Sequence, residues 1–199
     1  MNQKGLVKAI ERVERCKLAL EKMKFARTLD EKRQSWVDFI QPPHGFYIVM
    51  KQSVKGNPQA TLWFGNVEKT RREDELLSYV FQARNLEEHS LENSTQLTPG
   101  SLASGIAAPG YSNNVTYNGI TINGVFQLNV TSNDGKPVLS RVIAPSATPK
   151  DVYDERSGKT YKVPNTFLGE ELADTSFDTI AEKALEFIVK CTEEAKGYL

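Results

Sequence analysis

Residues 76–91 read LLSYVFQARNLEEHSL, and the way this stretch folds decides how the remainder of the chain is arranged. Leu77, Val80 and Arg84 are spaced i, i+3, i+7, which sets an arginine on the apolar stripe of a helix instead of on its solvated face. A guanidinium there must find anions or acceptors. Left unpaired, a buried charge costs on the order of several kcal/mol, comparable with the stability of a small domain. Five residues further on stands His89, one of two histidines in the chain.

Working upstream, Arg71 to Glu75 open this helix, with Thr70 and Glu73 spaced as a capping box. Glu73, Asp74 and Glu75 suit a helix N-terminus through the macrodipole. Gly56-Asn57-Pro58 reads as a turn, with Pro58 placed to start a short helix that carries Trp63 and Phe64 as core or interface aromatics. Pro42-Pro43 predicts a break, followed by His44-Gly45 and an apolar run over 46–54 whose length favours helix over strand. His44 beside that break reads as a surface or capping side chain, with a phosphate or substrate contact as the alternative. At the start of the chain, Leu6, Ile10, Val13, Leu20 and Met23 form a stripe, widened by Val7 and by Cys16 or Lys17, and predict a helix over about 3–27. Glu11, Arg12, Glu14, Arg15 and Glu21 cover its back and read as a solvated face. Thr28 or Asp30 caps a second helix whose apolar side is Trp36, Phe39 and Ile40.

Downstream, residues 90–114 are rich in Ser, Thr, Gly, Asn and Pro and read as an extended linker. Helical periodicity is absent from 115 to about 163. Tyr117-Asn118-Gly119, Asn123-Gly124 and residues 133–136 are turn signals between short β-type runs, and residues 154–159 join two such runs as a hairpin. Phe167, Leu168 and Gly169 lead back toward helix. Asp174 or Thr175 caps a last helix with Phe177, Ile180, Ala181, Ala184, Ile188 and Cys191 on one stripe. That stripe needs a partner, and packing back on the first helices supplies one. The expectation is a mainly α, α+β fold: an antiparallel helical bundle with a small antiparallel β-sheet inserted before the C-terminal helix. Residues 1–92 form the bundle, 93–166 the linker and β insertion, and 167–199 the returning helix.

Lys+Arg and Asp+Glu are equal at 25 each, so a partner held by phosphate charge must meet a local basic patch, not an overall basic protein. No window approaches the ~20 apolar residues of a membrane span, and the charged start does not read as a signal peptide; a cytoplasmic protein is expected. Cys16 and Cys191 then read as buried thiols, and the Asn-X-Ser/Thr triplets at Asn93, Asn114 and Asn129 as chance matches. With two Cys and two His there is no zinc-type cluster, nor is there a P-loop or a dinucleotide glycine pattern, so no cofactor and no metal site is expected.

The segment ARNLEEH at 83–89 resembles the R-x4-6-H signature of the HEPN superfamily, with Asn85 as the polar residue that often follows the arginine. The resemblance covers the helical parts and leaves out the β insertion. It implies a small helical bundle, commonly dimeric, and in many members a metal-independent ribonuclease. Arg84, Asn85 and His89 would then be the catalytic set, assembled across a homodimer interface and acting on RNA or a nucleotide. The chemistry suits the residues. His89 would move protons near neutrality, Arg84 would clamp phosphate oxygens through two parallel hydrogen bonds, and Asn85 would orient either. Leu91 stands where many toxin-like members carry a tyrosine, and Glu87 and Glu88 add negative charge beside the arginine. A non-catalytic module binding nucleotide, RNA or protein is the alternative. In a purely structural reading Arg84 bridges to Glu88 or Asp74 and His89 caps the helix. On an unbroken helix, residues five apart diverge by roughly 140°, so Arg84 and His89 converge only if the helix stops near Glu88 or a second copy supplies one of them.

Overall fold

The first helix shows how the bundle is built. A computed structural model describes residues 1–122 and 125–199. Helix α1 (Gln3–Lys24) is started by Asn2, whose side chain accepts from the Lys4 N–H, and buries Leu6, Ala9, Val13, Cys16, Ala19, Leu20 and Met23. This is the expected stripe except that Ile10 is half-buried and Val7 exposed, with the small Ala9, Cys16 and Ala19 filling it. Helix α2 (Leu29–Ser53) opens with a complete capping box: the Glu31 N–H donates to Thr28 Oγ1 at 3.1 Å, and the Thr28 N–H donates back to Glu31 Oε2 at 3.2 Å.

Pro42-Pro43 does not break α2, contrary to the expectation from sequence. Two prolines remove two N–H donors and leave the Asp38 and Phe39 carbonyls without their usual helical partners, at a local cost of about 3 kcal/mol or more. Burial on both sides offsets this: Trp36, Phe39, Ile40, Phe46 and Met50 are all at or below 1% exposed. Each such side chain contributes about 1.5–3 kcal/mol.

Helix α3 (Pro58–Glu73) has Asn57 as its cap and Pro58 in its first turn. It runs to Glu73, so Thr70 lies inside it and its hydroxyl donates back to the Asn66 carbonyl. The expected capping box at Thr70 is therefore absent. Asp74, extended at φ −72° and ψ 135°, ends α3 and caps helix α4 (Glu75–His89) by accepting from the Leu77 N–H at 2.9 Å.

After α4 the strands are short: β1 (Thr95–Thr98), β2 (Ser101–Ser104), β3 (Val115–Ile122), β4 (Val125–Ser132), β5 (Ser140–Ile143), β6 (Ser146–Pro149), β7 (Val152–Asp154), β8 (Lys159–Tyr161), β9 (Thr166–Phe167) and β10 (Glu170–Glu171). They make separate two-stranded sheets, not one. β1 pairs with β6, and β2–β5, β3–β4, β7–β8 and β9–β10 are antiparallel. Strands β1 and β2 fall where a linker was expected. Residues 117–119 are not a turn; they pair with Val130, Asn129 and Leu128 inside the β3–β4 ladder. The Asn123-Gly124 turn lies outside the described residues. The residue 133–136 turn is formed, with Asp134 Oδ1 accepting from Ser132 Oγ and the Lys136 N–H.

Phe167 to Gly169 turn a hairpin instead of leading into helix. Leu168 (φ 51°) and Gly169 (φ 85°) both adopt left-handed backbone, the pattern of a two-residue hairpin of the primed type. The last helix, α5 (Phe177–Lys196), is capped by Ser176, with Asp174 accepting from the Ser176 N–H and the Thr179 hydroxyl. Its stripe is buried as expected, and α5 packs on α1.

The architecture is mainly helical α+β: four N-terminal helices packed as a bundle, small two-stranded sheets, and a C-terminal helix against α1. The chain divides into two compact units, Met1–Leu97 with Ala147–Leu199, and Thr98–Ser146. The expected boundaries at 92/93 and 166/167 thus fall within the helical unit, which also holds β7 to β10. Every core hydrophobic residue whose side-chain burial is described belongs to that unit. No helix among the described residues is long and apolar enough to cross a membrane.

Candidate functional site

Helix α4 is anchored on several sides, and this anchoring positions the residues singled out by sequence. Tyr79 is fully buried and its hydroxyl donates to the Lys150 carbonyl at 2.9 Å. Near the end of the helix, the buried Trp36 Nε1 donates to Ser94 Oγ, and the Ser94 hydroxyl and N–H donate to Glu87 Oε1 at 2.7 and 2.6 Å. Glu87 therefore serves to bind the chain that leaves α4. At the helix start, Asp74 Oδ2 accepts from the Leu168 N–H and Glu75 Oε2 from the Thr166 hydroxyl, which docks the β9–β10 hairpin.

Between these anchors Arg84 keeps 15% of its side-chain surface exposed. Its Nη2 donates to Glu88 Oε2 at 2.6 Å, one turn on, and its Nη1 donates to Asn85 Oδ1 at 3.3 Å. The third donor, Nε, is buried without a partner. Asn85 is held in turn, its Nδ2 donating to Gln82 Oε1, while Gln82 Nε2 reaches the Tyr161 hydroxyl. Asp74, the other carboxylate considered for Arg84, is engaged as a cap.

His89 is the last residue of α4 and is exposed. With Asn85 and Gln82 it lines a hollow of about 480 Å³ against the β7–β8 hairpin, where Glu92, Asp154 and Arg156 supply mixed charge. Arg84 opens elsewhere, on a groove of about 530 Å³ shared with α1 and α2. The structure thus brings Arg84 and Asn85 together and gives Arg84 and His89 separate hollows.

No family model, curated protein or solved structure matches this chain. The functional reading rests on the residues themselves.

The second histidine adds what sequence weighed lightly. His44 sits in mid-α2, not beside a break, and lines the Arg84 groove. Its ring lies 5.2 Å from the Phe81 ring, and the Arg71 guanidinium rests 4.1 Å from the same ring and 5.2 Å from Tyr47. His44 Nδ1 is buried and unpartnered. Burial first, then the neighbouring Arg84 and Arg71 charges, hold this imidazole below its ordinary range, opposed by Glu88. The groove also contains Arg12, Arg15 and Lys22 from the back of α1, with Asp38 as its lone carboxylate. Charge alternation along α1 makes that back look uniformly solvated. The signal available was positional, since these three cations share one side of the helix.

Proposed function

We propose that this chain is an HEPN-like helical protein that binds RNA or a nucleotide through its phosphate, with Arg84 as the phosphate ligand. The observation that carries this reading is the half-buried guanidinium of Arg84, held by one carboxylate, with Nε unused, at the wall of a groove rich in cations. A guanidinium fixed on a rigid helix offers paired donors to phosphate oxygens, and an arginine keeps its charge at any relevant pH. Glu88 is its present counter-ion, and its side chain is 35% exposed, so a phosphate competes for Arg84 against a partly solvated partner.

The resemblance at residues 83–89 supports a second reading, metal-independent cleavage of RNA, in which His89 transfers protons and Asn85 orients. The separate hollows of Arg84 and His89 favour binding over cleavage within one chain. The catalytic reading gains from the exposure of His89 at a helix end, where a second copy could present its own Arg84 groove to it.

The test is fluorescence anisotropy and gel analysis with mixed single-stranded RNA in excess EDTA. Wild type binds, Arg84→Gln weakens binding about tenfold, the loss of roughly 1.4 kcal/mol expected of one charge-assisted contact, and Glu88→Gln tightens it by freeing the guanidinium. Cleavage abolished by both Arg84→Gln and His89→Ala establishes the second reading. Unchanged RNA binding in Arg84→Gln, or a Glu88→Gln variant that only melts earlier, returns the pair to scaffolding.

A further inference from the structure

The cations of α1 include some paired with carboxylates and some without. Lys17 pairs with Glu14 at 2.8 Å and Lys24 with Glu182 at 2.5 Å. Lys4, Lys8, Arg12, Arg15 and Lys22 have no carboxylate among the described residues within 4.0 Å, and of these Arg12, Arg15 and Lys22 line the groove. At ~100° per residue they fall within a sector of roughly 80°, and at ~1.5 Å rise they extend along about 15 Å of helix. Facing them, α4 contributes Arg84 and α2 contributes His44. The one carboxylate, Asp38, already accepts from Gln34 Nε2 at 3.0 Å.

Gly45 makes the groove's near wall. A Cβ at this position would lie 3.2 Å from Arg12 Nε and 3.6 Å from its Cζ, so the guanidinium rests along the backbone of α2 in the space a side chain would occupy. Arg12 is thereby half-buried with its charge uncompensated, a costly arrangement unless an anion completes it. The buried, unpartnered Nδ1 of His44 and Nε of Arg84 are two further donors or acceptors without protein partners at the same wall.

We propose that this groove is a track for a chain of consecutive phosphates, the backbone of a polynucleotide, held by Arg12, Arg15, Lys22 and Arg84 irrespective of base. The roughly 15 Å spread of charge exceeds the reach of one phosphate group, and arginines and lysines aligned along a helix suit an anion that repeats. Apart from His44 no aromatic ring among the described residues lines the groove, so bases have little platform on which to stack and sequence preference is weak. The proposal rests on the phosphate-binding reading of Arg84 and extends it to residues outside the 83–89 segment.

The experiment measures affinity for a single-stranded 12-nucleotide RNA against salt concentration, with adenosine monophosphate and tripolyphosphate as competitors. Four phosphate contacts give a slope of log affinity on log salt near roughly −3, and Arg12→Gln, Arg15→Gln and Lys22→Gln each weaken binding several-fold and reduce the slope by about 0.7. Lys17→Gln and Lys24→Gln, which remove cations outside the groove, leave both unchanged; thermal melts confirm that all variants fold. Tripolyphosphate competes and the monophosphate does not. Equal competition by the monophosphate overturns the track in favour of a single-phosphate pocket. Loss of binding in Arg84→Gln alone, with the α1 variants silent, overturns the track while sparing the function proposed above. Loss in the α1 variants with Arg84→Gln silent keeps a basic α1 surface and removes Arg84 from it, and no RNA binding at all removes both.

Discussion

At Gly5 the helices leave no room for a side chain: a Cβ there would lie 1.7 Å from Ser53 Oγ and 2.7 Å from Ser53 Cβ. Gly5→Ala must push α1 from the end of α2, and a destabilisation of about 1–3 kcal/mol is expected despite alanine's better helix propensity. In thermal melts Ser53→Gly in the Gly5→Ala background recovers part of that loss, since it removes both obstructing atoms. Leu168 carries the opposite kind of cost, a branched residue at φ 51°. Leu168→Asn should stabilise by about 1 kcal/mol in urea unfolding, because asparagine tolerates left-handed backbone and Leu168 is 48% exposed. His44 links stability to pH. Its ordinary value is 6.5 and burial holds the folded value below that, reinforced by Arg84 and His89 from α4 and Arg71 from α3 and opposed by Glu88. Above about pH 6.5 the ring is neutral in both states and its contribution is fully present. As pH falls below that, the unfolded chain takes up the proton first and stability declines, levelling off once the folded value is passed. Chemical denaturation at a series of pH values should show this decline in wild type and a flatter profile in His44→Gln.

The helices differ in how far their residues announced them. Stripes at Leu6 to Met23 and Phe177 to Cys191, the Thr28 cap and Pro58 at a helix start were all legible, because period and cap chemistry are local properties. The uninterrupted α2 was not. Proline disfavours helix locally, and only the burial of Phe39, Phe46 and Met50 around it reverses the outcome. Pro42→Ala restores one N–H donor at a half-buried position, and α2 should gain about 1 kcal/mol, read as a higher urea midpoint at unchanged slope. The α3–α4 corner was misplaced by four residues because Thr70–Glu73 and Asp74 are all plausible caps, and the choice belongs to the docking of Leu168 and Thr166 on Asp74 and Glu75. At the candidate site, sequence singled out Arg84 and gave a bridge to Glu88 as one outcome, and that bond is formed. The partners of that arginine across the groove, Arg12 and His44, are remote in sequence and became neighbours only through packing.

On the scale of the molecule, the described core lies in the helical unit. The core residues whose side-chain burial is described come from Met1–Leu97 with Ala147–Leu199, while β1 pairs with β6 where the chain leaves and re-enters the helical unit. Replacing residues 98–146 with a short Gly/Ser linker should leave a folded helical protein whose melting temperature stays within a few degrees of wild type, about 1 kcal/mol or less. A collapse of cooperative melting would show that the strands support the helices. Cys16 and Cys191 carry a different consequence. Both thiols are free and buried, and burial pushes each up to about 12, so at neutral pH almost none of either exists as the nucleophilic thiolate. Alkylating reagents can reach them only when the α1 and α5 stripes separate. Iodoacetamide should therefore mark the native protein slowly, at a rate that reports opening of the bundle through two sulfur atoms already in the chain.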